Sequence, residues 1–252
     1  AIAYAGVAKS PPDGYTLLIV PVSFTITPHL TKTPTFDPLN DYAPINLVAD
    51  VPFVMVVPAS LPVHTVKEFV DYAKKSPEKL SYASVGAGTP QHLGPELFKM
   101  KAGIDMVHVP FRGAIAAIPD VLAGRVHVFI GAINSLLPLI REGKLRALAS
   151  TGTSRIAALP DVPTMAEAGF PGVGTLHWQS MLAPAATPRP VIDTLFKAIV
   201  QASKEPALKE AFDKQLVSIK VSESPDEAKT WLKGELDSWK KITSEVKVDL
   251  AE

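Results

Sequence analysis

Cysteine is absent from all 252 residues, which removes disulfides, zinc–thiolate centres and cysteine nucleophiles together. That absence fits an oxidising compartment without requiring one, because cytosolic chains also lack cysteine. An excess of either charge is missing too. Lys plus Arg number 25 and Asp plus Glu number 25, so no global field is available to hold nucleic acid or an anionic membrane. An anionic ligand must then be caught locally, by oriented backbone and a few side chains. No run approaches about 18 apolar residues, so no segment reads as a membrane span. A basic stretch leading into a short apolar one is also missing, so the sequence reads as one without its signal peptide.

The signatures of catalysis are equally scarce. There is no G-x-S-x-G elbow, no H-E-x-x-H and no acidic cluster with metal-ligand spacing. Histidines lie scattered at positions 29, 64, 92, 108, 127 and 177, and a lone histidine is more often a satisfied polar group than a ligand. No enzyme activity, cofactor or metal is expected.

What the sequence does contain is strand and helix in alternation. Its 47% hydrophobic and 20% charged residues are ordinary for a globular chain, and its length allows one large domain or two smaller ones. Thr16–Val20 reads as a buried strand after the turn Pro12-Asp13-Gly14, and Pro52–Val57 as another closed by Pro58. Thr65 caps a helix over Val66–Lys74, with Glu68 completing a capping box. Strands follow at Leu80–Ser84, Met106–Val109, Val126–Ile130 and Leu145–Ser150. Helices at Thr89–Lys101, Ile115–Ala123 and Leu136–Arg141 separate them. This order predicts parallel sheets with right-handed crossovers. After Thr175 the pattern changes to an apolar segment, Trp178–Ala183, and then helices over Pro190–Lys204, Pro206–Gln215 and Pro225–Val246. The helical C-terminus is expected to pack on the N-terminal sheet. That gives one lobe from 1–54 and 179–252 and a second from 55–178, with crossovers near 52–57 and 177–183. Ala1–Ser10 reads as the end of a helix with no strand before it, which would leave a strand edge open.

The sharpest local signal is Ser84-Val85-Gly86-Ala87-Gly88-Thr89-Pro90-Gln91-His92. It follows a strand and opens a helix, with glycines at the turn and Thr89 at the N-cap position. It is either a turn plus cap, or a cradle in which backbone N–H groups hold an anion. It is neither a Walker A loop nor a full dinucleotide fingerprint. His92, one helical turn on, faces either a ligand or the turn itself. A second strand end carries Phe111-Arg112-Gly113, where Arg112 forks onto a carboxylate or makes a surface ion pair. Phe111 lines a pocket or fills the core. Asn134, after the next strand, caps a helix or orients a ligand. Trp178 is a core residue with its N–H satisfied, or a hinge or pocket-floor residue.

These segments occur in a recognisable order. Val7–Leu18 resembles the "A-K-x-x-P-D-G-Y-T-L-L" element of the Bug-type receptors, the periplasmic binding proteins of tripartite tricarboxylate transporters. Leu80–Phe98 resembles that family's ligand-binding strand–loop–helix, and His108–Gly113 its "H-V-P-Y-R-G" with Phe for Tyr. Gly143–Ala149, Leu159–Gly169 and the stretch from Trp178 to Pro188 are similar too.

The resemblance implies an α/β, two-lobed fold of the type II periplasmic-binding class, with two sheets flanked by helices. It implies a monomeric periplasmic receptor that closes on a small carboxylate and delivers it to membrane permease subunits, with no nucleic acid partner and no membrane insertion of its own. Ser84, Gly86, Gly88, Thr89 and His92 would form one half of a carboxylate pincer, flanked by Phe111, Arg112, Gly113 and Asn134. Ser23 and Thr25 would reach in from the first lobe. Two departures stand out. No segment matches the family's "P-F-P-A-G-G-x-x-D" loop, so the first strand–loop–helix unit, with the partner loop of the pincer, is missing from the sequence. Val126-His127-Val128-Phe129 also stands where "V-D-x-M-F" is common, so His127 replaces an acid. His127 faces either the cleft or solvent. The rival readings are an effector-sensing domain of a transcription regulator and a small-molecule enzyme on a similar scaffold.

Overall fold

A computed structural model describes residues 2–174 and 176–246. The predicted helix at the N-terminus is α1 (Ile2–Ala8), and Ala1 lies outside the described residues. In chain order there follow β1 (Leu18–Pro21), α2 (Ser23–Leu30), β2 (Tyr42–Pro58), α3 (Val66–Lys75), β3 (Leu80–Ser84), α4 (Pro90–Ala102) and β4 (Met106–Pro110). Next come α5 (Ala114–Leu122), β5 (Val128–Ala132), α6 (Ile133–Arg141), β6 (Leu145–Ser150) and β7 (Leu176–Pro184). The chain continues through α7 (Arg189–Ala202), α8 (Pro206–Lys214) and β8 (Ser218–Ile219) to α9 (Pro225–Glu245). The expected C-terminal part of the first lobe also includes residues 247–252, which lie outside the described residues.

The chain divides into two compact units: Ala1–Asp50 with Trp178–Ser244, and Val51–His177 with the chain from Glu245. Sequence reading set these divisions at 54/55 and 178/179. Both passages fall inside strands, β2 and β7, so no change in composition marks them.

In the first unit β1 pairs β7 antiparallel, with Leu18 opposite Leu182, and β8 pairs β2 antiparallel at Ala49↔Ile219. An aromatic cluster fills one part of its core: Phe24 stacks on Phe36 at 5.1 Å, with Tyr4 and Tyr42 edge-on to Phe24 at 5.2 Å. The turn Pro12-Asp13-Gly14-Tyr15 is held by the Tyr15 N–H donating to Asp13 Oδ1 at 3.0 Å. Gly14 sits at φ +87°, and a β-carbon there would run into Cγ1 of Val191 on α7. Trp178 is buried, and its indole N–H donates to Glu235 Oε2 at 2.7 Å. Glu235 also accepts from Trp239, and Trp231 stands edge-on to Trp178 at 4.7 Å. Trp178 is thus a core residue whose N–H is satisfied.

In the second unit β3 pairs β4 and β5 in parallel, through the helical crossovers α4 and α5. β2 runs antiparallel to both β5 and β6. The wholly parallel sheets expected from the β–α order are therefore corrected to mixed ones. The crossover rule governs strands joined by a helix packed on their own sheet, and β2 enters this sheet directly from the first unit. The core here is Phe53, Met55, Tyr82, Leu93, Phe98, Phe129 and Ile133, all fully buried.

Gly14→Ala combines a left-handed backbone with a steric clash, and is expected to cost about 1–3 kcal/mol of stability. A urea denaturation midpoint that does not move would count against this account of the turn.

Candidate functional site

Parallel pairing brings the carboxyl ends of β3, β4 and β5 to one edge of the second unit's sheet. Ser84 stands opposite Pro110, and Ala132 opposite Phe53. β6 ends on the same edge, with Ser150 opposite Val54. The segments that leave this edge are the loops 85–89, 111–113 and 151–152 and the start of α6 at 133–134. Ligands of open α/β sheets bind beyond such an edge.

The 85–89 loop is built on Ser84, which is fully buried. Its hydroxyl accepts the Gly86 N–H at 3.1 Å and lies 2.6 Å from Nε2 of His108, while its carbonyl accepts the Phe111 N–H at 2.9 Å. Gly86 and Gly88 adopt φ of +132° and +72°, conformations that a β-carbon resists. Thr89 occupies the N-cap position of α4, but its hydroxyl donates to the Gly86 carbonyl at 2.7 Å and accepts nothing from the helix. It closes the turn. His92 is buried at 3% exposure and also faces the turn, its Nδ1 accepting the Gly88 N–H at 3.1 Å.

Pro90 has no N–H to offer. The N–H groups of Ala87, Thr89 and Gln91 have no partner among the described residues. Three unpaired backbone donors at the start of a 13-residue helix suit an anion, because the helix dipole adds about half a positive charge there.

The other predicted residues are distributed around this loop. Phe111 is half-buried, Arg112 is exposed with no ion-pair partner among the described residues, and Gly113 opens α5 at φ +104°. The surface ion pair considered for Arg112 is not formed among the described residues. Asn134 is exposed on the second residue of α6, whose cap position belongs to Ala132, so Asn134 is not a cap. His127 lies at the opposite end of β3 from the glycine loop. Its Nδ1 accepts from the N–H and lies 3.0 Å from the hydroxyl of Ser81, so it is a satisfied structural group.

Ser23 and Thr25 belong to the first unit, on α2. The Thr25 hydroxyl is fully buried and donates to the Val22 carbonyl at 2.8 Å. It has no free hydrogen to offer a ligand. Ser23 is half-buried.

Two features went unread. At the end of β6, buried Ser150 accepts the Gly152 N–H at 3.2 Å, repeating the Ser-x-Gly turn of Ser84 and Gly86. The matching tripeptides were visible in the sequence. His108 is the other: it stacks against both Tyr82 and His92, at 5.0 and 3.9 Å between ring centres. Its two-residue spacing from Met106 along a strand was the available signal.

Residues 1–248 match the family described as tripartite tricarboxylate transporter family receptor. The chain belongs to that family. It is accordingly a receptor of the periplasmic solute-binding class. Among curated relatives, a UPF0065 protein in the tcbD–tcbE intergenic region of Pseudomonas sp. strain P51 is 35% identical, with 96% of this chain and 72% of that protein covered. Protein BugT of Bordetella pertussis is 32% identical, with 94% and 73% covered.

Solved structures agree. The periplasmic binding protein BugD is similar with a TM-score of 0.82 and 30% identity, covering 96% of this chain and 81% of that one. R. palustris Rpa4515 with adipate gives 0.85 and 31%, covering 98% and 83%. MatC of Rhodopseudomonas palustris with bound malate gives 0.80 and 25%, covering 96% and 83%. These likenesses establish the α/β fold of the periplasmic binding proteins. No helix among the described residues is long and apolar enough to cross a membrane, and no cluster there could hold a metal ion.

Burial lowers the pKa of His29, His92, His108, His127 and His177, that of His92 to about 4. For each, desolvation of the cation is the largest cause. The unfolded chain takes up these protons first as pH falls below about 6.5, so folding stability is full above that value and declines towards about pH 4. The melting temperature should therefore be lower at pH 5 than at pH 7. His92→Asn, which keeps an acceptor but cannot ionise, should show a smaller drop.

Proposed function

We propose that the receptor captures a small dicarboxylate, one carboxylate of which seats on the N–H groups of Ala87, Thr89 and Gln91. The observation that carries this reading is that trio of unpaired donors, on a loop whose glycines are already fixed. A chain with no net charge needs such a local trap. Charge-assisted hydrogen bonds to a preorganised backbone supply it without a basic surface.

Arg112, exposed beside the loop and without an ion-pair partner among the described residues, supplies the charge that the backbone lacks. Its guanidinium is suited to a second carboxylate or to the far oxygen of the first. Gly86 and Gly88 let the ligand approach closely, and Gly113 and Asn134 stand at the neighbouring helix starts. The similar structures of Rpa4515 with adipate and MatC with bound malate fit a two-carboxylate ligand. We further propose delivery of that ligand to the permease subunits of a tripartite transporter, in the periplasm.

Thermal shift with adipate and malate tests the ligand class. A ligand present at about 100 times its Kd adds about 2.7 kcal/mol to stability. Thr89→Leu, which opens the turn and crowds the donors, should weaken binding of a responding acid at least about tenfold. Arg112→Gln should weaken it by about 1.5–3 kcal/mol. Unchanged affinity in Thr89→Leu would remove the loop from the site.

A further inference from the structure

Behind the glycine loop lies a cluster of three buried or half-buried rings. His108 on β4 stacks against both Tyr82 on β3 and His92 on α4, tilted 18° from the first and 10° from the second, and Tyr82 and His92 lie 6.3 Å apart. Each imidazole holds one glycine of the loop. His92 Nδ1 takes the Gly88 N–H directly, and His108 Nε2 meets the Ser84 hydroxyl that takes the Gly86 N–H.

The Gly88 bond fixes the proton on His92. An N–H donor from Gly88 requires Nδ1 of His92 to be bare, so His92 is neutral with its proton on Nε2. The 2.6 Å contact between the Ser84 hydroxyl and His108 Nε2 can run either way, because a hydroxyl that accepts from Nε2 can turn its own hydrogen to the Gly86 carbonyl 3.3 Å away. A further proton on His108 therefore leaves its bond to Ser84 intact. A proton on His92 Nδ1 sets donor against donor at Gly88 and breaks that anchor. The two consequences are unequal.

The charged surroundings favour His108 as the site of the first proton. Glu96 on α4 accepts from Tyr82 and pairs with Lys99 at 2.8 Å. For His108 the Glu96 charge outweighs that of Lys99, whereas for His92 the leading charge effect is repulsion from His108. β5 also packs on α4 and carries no titratable side chain. Two cations with ring centres 3.9 Å apart repel strongly in a buried setting.

We propose that His92 is the positioning residue of the loop, holding Gly88 through a bare Nδ1, and that His108 keeps that nitrogen bare in acid by taking the first proton itself. The carboxylate seat thereby keeps its shape through mild acidification. The link to ligand capture rests on the loop being the carboxylate seat, but the pairing of His92 with Gly88 does not.

Amide hydrogen exchange of Gly88, followed by NMR on the ligand-free protein and expressed as a protection factor, tests the inference. In the wild type, Gly88 should stay protected from pH 7 to about pH 5 and lose protection towards pH 4. His92→Asn, whose Oδ1 can replace Nδ1 as acceptor, should stay protected throughout. His92→Leu should lose protection about tenfold or more already at pH 7. His108→Phe keeps a ring in the stack but cannot take the proton, so its loss of protection should move up by about one pH unit or more. Equal Gly88 protection in wild type and His92→Leu would overturn the anchoring role. An unshifted midpoint in His108→Phe would overturn the shielding role. If His92→Leu does not fold, early loss of protection in His92→Asn overturns the acceptor assignment instead. An absence of dicarboxylate binding with these exchange results intact would reject only the proposed ligand.

Discussion

One buried hydroxyl organises the candidate site. Ser84 ends β3 at zero exposure, where an unsatisfied polar group would be costly, and its contacts are met entirely by groups that need to be held. Its side chain secures Gly86 and meets His108, while its carbonyl secures Phe111 at the next strand end. Two loops of the same edge are therefore referenced to a single residue. Replacing it by alanine would leave a glycine N–H and an imidazole without their partner at once. On the proposed reading, the loop's open donors serve a ligand because Gly86, Gly88 and Thr89 are each tied within the turn.

On the proposed reading, the sheet of the second unit prepares a site before a ligand arrives. Pro90 ends the strand-to-helix turn without adding a donor, and Thr89 spends its hydroxyl on closing the turn. The N–H groups left over belong to residues whose geometry is already set. In such a trap the ordering cost falls on folding, and binding is spared it. The Ser150-x-Gly152 turn at the end of β6 repeats the strand-end device of Ser84-x-Gly86, so the same local chemistry fixes two exits from one sheet.

Much of this architecture was legible because periodicity and punctuation coincided. Leu80–Ser84 and Leu145–Ser150 are short apolar runs bounded by polar turns, and both strands occur over those residues. The glycine loop was visible because its two glycines sit between a strand and a proline-headed helix. Other parts carried no such signal. Residues Tyr42–Val51 belong to β2, yet Pro44, Asn46 and Asp50 interrupt any apolar alternation, and the strand is fixed by neighbours distant in sequence. α2 has Pro28 inside it and no side-chain cap, so it reads as a loop. The direction of β2 depends on which unit it arrives from, which no window of sequence contains. The resemblance implied a ligand role for Thr25; its hydroxyl instead bonds three residues back, to the cap residue of its own helix. The choice left open for His92, ligand or turn, needed a coordinate for Gly88.

The placement of the three tryptophans has an optical consequence. Trp178, Trp231 and Trp239 all belong to the first unit, and two of them donate to the half-buried Glu235 carboxylate. The second unit, with the glycine loop and the histidine pair, has no indole at all among its residues. Intrinsic fluorescence of this receptor is thus a one-sided signal. It reports the surroundings of Glu235, and an event confined to the glycine loop can pass without changing it.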